Sequence, residues 1–304
     1  MAIDREAVLR EALSRRAIDA AADDLAAVGT ADLIVLAAPV RQNILLLKRV
    51  AAHASATAII TDVGGTKRTI VEAAATLPDS ITFVGGHPLG GGARGGFEFA
   101  TAGLFARRPW IFTPTPEPTM ADATGKGAGD RHVGAAGRAA DDAVCRAASA
   151  AAVGPADGSA DGTAEAARTF MVRQAVDRLS AFVAGLGAYP TTMSATEHDR
   201  LMALISHLPQ LAATGLMEVV GRAATARGLK MAGQGLVDTT RLASSPADVW
   251  RDICVTNADE IRSALDLLID RLSEMRADLE RTEVIDAVFN DAAHWREELM
   301  KGRD

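Results

Sequence analysis

His87 lies inside GGHPLGGGARGG (85–96), a stretch of seven glycines with one histidine and one arginine. Two chemistries compete for it. Gly90-x-Gly92-x-x-Gly95 spells the glycine pattern that cradles a dinucleotide pyrophosphate at a helix N-terminus. Alternatively, His87 ends a strand and handles a proton, while the glycines clear room for a ligand. The pyrophosphate pattern belongs after the first strand of its domain, with an acidic residue roughly 20 positions further on. Here it follows several apolar runs and precedes a TPTPEP turn and a polar tract. So glycine-rich a stretch matches the pattern almost by chance, which leaves His87 as a proton-handling residue or a hydrogen-bonded structural imidazole.

Three other stretches hold residue types suited to chemistry. TDVGGTKR (61–68) sets Asp62, Gly64, Gly65 and Lys67 at another strand's end. It reads as a surface ion pair on a plain turn, or as a turn facing a ligand crevice. EHDRLMALISHLPQL (197–211) holds His198 and His207 nine residues apart. At about 3.6 residues per turn they fall on different sides of a helix, so a shared metal site is not expected. Pro209 kinks or ends that helix, and a histidine beside a kink can point into a cleft. GQGLVDTTRLASSPADVW (233–250) places Arg241 beside Thr239 and Thr240. That is a fork for a carboxylate, or an ordinary salt bridge at a helix start. No metal-ligand spacing stands out.

The elements around these residues follow from hydrophobic periodicity. REAVLREALSRR (5–16) is helical in pattern. DLIVLAAP (32–39), TAIITDVG (57–64), ITFVGGHP (81–88) and PWIFTPTP (109–116) are short apolar runs of the kind buried on both faces. Helix-like RQNILLLKRVAAHA and KRTIVEAAATL lie between them, so a parallel α/β sheet with right-handed crossovers is predicted. From 117 to about 165 the chain is Ala, Gly, Asp and Ser with almost no large apolar residue, which predicts a flexible insertion. His132 within it reads as a solvated loop residue. Order is expected again at Arg168, in an amphipathic helix ending at glycine, followed by AYPTTMS as an edge strand. From Thr196 onward the chain reads as helix, with long apolar stripes that need a partner face. The division expected is 1–195 for the α/β part and 196–304 for the helical part.

The 304 residues suffice for one large domain or two ordinary ones. Apolar residues make up 48%, charged residues 23% and aromatic residues 4%, so the core is built mainly from Ala, Val, Leu and Ile. A net charge of −7 argues against a nucleic-acid partner. Two distant cysteines, Cys145 and Cys254, point to a reduced, cytoplasmic protein. No apolar run reaches the roughly 18 residues of a membrane span, and no signal segment is evident at Met1.

Taken in order, ADLIVLAAPVRQ, TDVGGTK, FVGGHPLGG, LFARRPWIFTPTP, EHDRLMALISHLPQ and GLVDTTRLAS…VWRDI resemble the prephenate/arogenate dehydrogenase family. The likeness covers nearly the whole chain outside 117–165. It implies a Rossmann-like NAD-binding α/β domain followed by an all-α dimerisation domain, hence a homodimer. The implied reaction is oxidative decarboxylation of prephenate or arogenate in tyrosine biosynthesis. His87 matches the catalytic histidine and Arg241 the arginine that holds a substrate carboxylate. Asp238, Trp250 and His207 match neighbours that shape the substrate site. Ala38, Pro39 and Val40, with Asp62, Gly64 and Gly65, match loops lining the nicotinamide cofactor. Asp4 matches the acid that ends the second strand and binds the adenine ribose, which implies NAD rather than NADP.

Four departures from the family pattern follow. Gly65 stands where many relatives have serine, leaving Thr66 as the nearby hydroxyl for substrate. Ala93, followed by Arg94, stands where many have glutamate. Gln210 replaces the second histidine of SHLPH and can still donate and accept hydrogen bonds. The fourth is that only three residues precede Asp4. The first strand, its glycine loop and the first helix are then expected to be missing, with weak NAD binding as the consequence. Either the natural protein has a longer N-terminus, the favoured expectation, or the chain is a truncated, non-catalytic dimer-forming homologue that no longer binds NAD.

Overall fold

The computed structural model describes residues 1–90, 96–115 and 160–301. The Gly90–Gly95 pattern, Ala93, Arg94, His132, Cys145 and most of the 117–165 tract therefore lie outside the described residues, wholly or in part.

Five strands form one sheet: β1 (Leu33–Leu36), β2 (Ile59–Asp62), β3 (Thr82–Pro88), β4 (Pro109–Pro114) and β5 (Tyr189–Thr192). Their spatial order is their chain order. β1–β2 and β2–β3 pair in parallel, joined through α2 (Val40–Ala51) and α3 (Arg68–Ala74). The expectation of an all-parallel sheet fails at β4, which runs antiparallel to β3. The described part of the β3–β4 connection consists of turns and a short 3-10 segment at Phe97–Phe99. Among its described residues there is no crossover helix of the kind a parallel return requires. β5 then pairs parallel with β4 at the sheet edge, after α4 (Ala160–Gly185). Order thus resumes several residues before Arg168, in an alanine-rich run where helix propensity is highest. Beyond α4, Gly187 at φ 79° supplies the left-handed residue that turns the chain into β5.

Apolar faces close on the sheet from both sides. Leu47, Val50, Ile60, Ile70 and Phe83 pack with Ile34 and Leu36 beneath α2 and α3. Val84, Trp110 and Phe112 pack against Ala175, Leu179 and Val183 of α4. At the N-terminus α1 (Glu6–Ser14) is flanked by a single parallel bridge, Ala2 to Ala21, which stands apart from the five-stranded sheet. Asp4 follows that bridge on an exposed bend rather than ending a strand.

The remainder is helical: α5 (Ala195–Met202), α6 (Leu208–Leu229), α7 (Gln234–Thr239), α8 (Ala247–Thr256), α9 (Ala258–Ala277) and α10 (Thr282–Lys301). Ser194 caps α5 by accepting the Glu197 amide at 3.0 Å, and Glu197 completes a Ser-x-x-Glu signature. Of the two outcomes expected at Pro209, a kink or an end, the end does not occur. α5 passes into α6 through a π turn at Ala203–His207, and Pro209 falls in the first turn of α6, where its missing N–H costs little. Apolar side chains on these helices face outward, among them Leu267, Leu272, Phe289 and Trp295. The continuous stretch Ala195–Leu229 is long and apolar enough to cross a membrane by length and composition, although polar residues on it are buried inside the fold.

Candidate active site

The carboxyl ends of β1, β2 and β3 lie side by side, the place where open α/β sheets bind ligands. After β1 the turn Ala38-Pro39-Val40 leads into α2 and is held by fully buried Asn43. That side chain donates to Leu36 O at 3.1 Å and accepts the Ala38 amide at 3.1 Å. After β2 the turn is built on a buried ion pair, and the reading of Asp62 and Lys67 as a surface pair is wrong. Lys67 Nζ lies 2.5 Å from Asp62 Oδ2 and donates to Gly86 O at 2.7 Å, with both side chains fully buried. Asp62 also accepts the amides of Gly64 at 2.8 Å and Gly86 at 3.1 Å. Its carboxylate is consumed in joining two strand ends and reaches no open surface. Burial pulls the Lys67 ammonium below its ordinary range, outweighing the attraction of Asp62. A Cβ on Gly64 would sit 2.7 Å from Val40 Cγ2, so the two loops meet closely there.

His87 closes β3. Its Nδ1 is 2.8 Å from His198 Nε2, and His198 Nδ1 is 2.8 Å from Asp199 Oδ1. Its Nε2 turns toward Gly65: a Cβ built on that glycine would lie 3.9 Å from it and 3.6 Å from Ile253 Cδ1. Burial, seconded by His198, Lys67 and His207, holds His87 well below the ordinary histidine range and therefore neutral. Burial lowers His198 as well, more than Asp199 raises it. Burial opposes the charge on Asp199. Hydrogen bonds from His198 and from the Arg68 and Lys67 amides outweigh that and keep it ionised.

Asp199 has a second task. It accepts the Lys67 amide at 2.7 Å and the Arg68 amide at 2.9 Å, the free N–H groups at the start of α3, which lacks a side-chain cap of its own. Arg68 then reaches the helical part, donating to both oxygens of Asp259 and to Asn257 Oδ1 at 2.9 Å. Asn257 in turn donates to Asp199 O at 2.7 Å and lies 3.4 Å from His207 Nδ1. One hydrogen-bonded cluster thus spans α3, α5, the π turn and α9.

The sequence-predicted residues fall into three places. His207 is buried, edge-on to the half-buried Trp250 ring with centroids 5.9 Å apart, and burial lowers it to about 4. Thr66 is fully buried and its hydroxyl is taken by Thr256 at 2.7 Å; Thr256 passes its own proton to Asp252 O. Thr66 is therefore unable to offer a free hydroxyl in place of the family serine. Gln210 is buried, donating to Leu242 O at 2.7 Å and accepting from Ser245 at 3.1 Å. Both ends of its amide brace the turn after Arg241 rather than facing a ligand. Arg241 and Asp238 are exposed on that segment; Asp238 accepts from Gln234, and no described residue pairs with the Arg241 guanidinium. Asp4 is exposed beside Arg5.

His198, Asp199, Arg68, Asn257 and Asn43 were not singled out as site residues in the sequence. Regular helix spacing places His198 and His207 on different sides of a helix, which hides their approach to a common cluster. The π turn alters that phase, and both rings are buried against the same cluster. Among the described residues no group of three His, Cys, Asp or Glu side chains is arranged to hold a metal ion.

Comparison with known proteins places this geometry. Residues 2–123 match the model of the prephenate dehydrogenase nucleotide-binding domain, and residues 194–290 match that of the prephenate dehydrogenase dimerization domain. Prephenate dehydrogenase of Bacillus subtilis (strain 168) is 28% identical over 282 residues, covering 90% of this chain and 62% of that protein. Cyclohexadienyl dehydrogenase of Zymomonas mobilis is 26% identical over 256 residues, 82% of this chain and 68% of that protein. The chain thus spans less than two thirds of its Bacillus relative's length. The fold matches Aquifex aeolicus prephenate dehydrogenase, solved with hydroxyphenyl propionate and NAD+, at a TM-score of 0.70 and 22% identity. That match covers 98% of this chain and 87% of that one. It also matches Synechocystis arogenate dehydrogenase at 0.65 and 21%, covering 98% and 90%. With both halves matched in order, the chain belongs to the prephenate dehydrogenase family.

Proposed function

We propose that this protein oxidatively decarboxylates a cyclohexadienol, prephenate or arogenate, with NAD as hydride acceptor and His87 as the proton acceptor. The observation behind this is a neutral histidine at the end of β3 whose Nε2 faces the opening left by Gly65. A neutral imidazole is the form able to take a proton. The residues present fit the nicotinamide end of a dinucleotide: the Ala38–Val40 turn, Gly64 and Gly65 flank a space that a side chain on Gly65 would enter. Asp4, exposed and bonded through Oδ1 to the Arg5 amide, keeps its other carboxylate oxygen for a ribose hydroxyl. When bound, the nicotinamide ring supplies a sink for the hydride from the hydroxyl-bearing ring carbon.

The protein's own task is the proton. The substrate hydroxyl gives its proton to His87 Nε2 as the C–H electron pair leaves. The ring C–carboxylate bond then breaks, CO2 departs, and its electron pair flows through the ring to the oxygen. That oxygen takes the proton back from His87, so the imidazole ends neutral as it began. Arg241 orients the substrate by a carboxylate contact and transfers no proton. In this reading residues 1–195 serve the cofactor and 196–304 the substrate and a homodimer, formed through the outward apolar faces of the long helices.

The test is reduction of NAD by purified protein given prephenate or arogenate. His87→Asn should lower kcat by about 10²–10⁴-fold, the usual range for losing a general base. An unchanged rate in the variant would remove His87 from this role, and no turnover of either substrate by the wild type would refute the activity.

A further inference from the structure

We propose that His198 and Asp199 form a relay with His87 in which Asp199 sets the tautomers of both imidazoles and leaves His87 Nε2 bare. His198 and Asp199 are positioning residues here, acting through His87. The use made of the bare nitrogen rests on the dehydrogenase reading; the tautomers themselves do not.

The argument is hydrogen-bond accounting. The Asp199 carboxylate has four donors around it: the Lys67 amide and His198 Nδ1 on Oδ1, and the Arg68 amide and Nε on Oδ2. An ionised carboxylate accepts only, so the proton between Asp199 and His198 belongs to His198 Nδ1. His198 is fully buried and held neutral, so its Nε2 carries a lone pair. His87 Nδ1, 2.8 Å from that lone pair, must then be the donor. A neutral imidazole with its proton on Nδ1 has an unprotonated Nε2, the atom that faces Gly65. The reverse assignment would place a bare Nδ1 of His198 against the carboxylate at 2.8 Å, lone pair to lone pair.

Other charged groups near the two rings do not compete for these protons. Lys67 and Asp62 from the β2–α3 turn satisfy each other, and His207 on the π turn is neutral. Among the described residues Asp199 is the charged side chain hydrogen-bonded to these rings, and its negative charge stabilises the imidazolium that forms when His87 takes a proton. The logic is that of a carboxylate orienting a catalytic imidazole, extended by one more ring.

The tautomers can be read without substrate, from imidazole nitrogen NMR of the full chain labelled with ¹⁵N-histidine at pH 7. The expected wild-type spectrum has His87 protonated on Nδ1 and bare on Nε2. His198→Leu removes the acceptor and should give a mixture of both His87 tautomers. His198→Gln, whose Oε1 can accept the same proton, should restore the Nδ1–H form. In turnover, His198→Leu should lower kcat by about 10-fold or more, with KM nearly unchanged and His198→Gln recovering part of the loss. A wild-type His87 protonated on Nε2, or an unaltered His87 pattern in His198→Leu, would overturn the relay. The predicted spectra without turnover of prephenate or arogenate would support the relay while removing the dehydrogenase reading.

Discussion

Acid should weaken this fold through His207, by an amount the structure sets. The ring is almost fully buried against Trp250 and lowered from 6.5 to about 4. Between those values the unfolded chain binds a proton that the folded chain refuses, so protons pull the equilibrium toward unfolding as pH falls. The stability due to a neutral His207 is complete above pH 6.5 and lost progressively toward pH 4. Each pH unit across that window is worth about 1.4 kcal/mol, so the full traverse is about 3 kcal/mol and the loss between pH 7 and 5 about 2 kcal/mol. His87 and His198 are lowered too and add to the slope with the same sign. The assay is urea unfolding at pH 7 and pH 5, at one protein concentration, for wild type and His207→Leu. The variant starts less stable at pH 7 because its partners are lost, yet its stability should fall by about 2 kcal/mol less on acidification. Equal falls in the two proteins would refute the reasoning, since His207 would then titrate alike folded and unfolded.

Two further outcomes follow from the strand ends. Lys67→Met leaves the Asp62 carboxylate buried without its cation and should cost about 3–5 kcal/mol. Asp62→Asn combined with Lys67→Met should recover part of that, and urea unfolding of the three proteins will show whether the double variant is the milder one. Gly86→Ala would place a Cβ 2.5 Å from Asp62 O, whereas Gly65→Ala meets nothing nearer than 3.6 Å. The first should lower the melting temperature sharply or abolish folded protein, and the second should leave it within a few degrees; a tolerant Gly86→Ala would show that β2 and β3 can spread.

β1 through β4 were legible because each is a short apolar run bounded by turn residues, and the polar edge strand β5 because it follows a helix ending at glycine. Direction was not legible. β3 and β4 are buried on both faces, so neither shows an alternation that could reveal the antiparallel pairing. The strand-end placement of His87 could be read because a strand end beside glycines is a recognisable setting. Its partners could not, because Asp199 reaches Lys67 and Arg68 across more than 130 residues and no local pattern records that meeting. The roles of Asp62, Thr66 and Gln210 changed for a related reason. Side-chain type suggests what a residue can bind, while burial decides whether that capacity is already used within the fold.

The cap that Asp199 places on α3 makes the site a matter of folding order. Thr66 meets Thr256 and Arg68 meets Asn257 across about 190 residues, and these are contacts whose loop-closure entropy must be met before they stabilise anything. The first turn of α3 is then expected to stay frayed until the helical half docks, and His87 to gain its contact with His198 in the same event. Protection of the Lys67 and Arg68 backbone amides from solvent exchange should therefore rise together with the docking of the helical half.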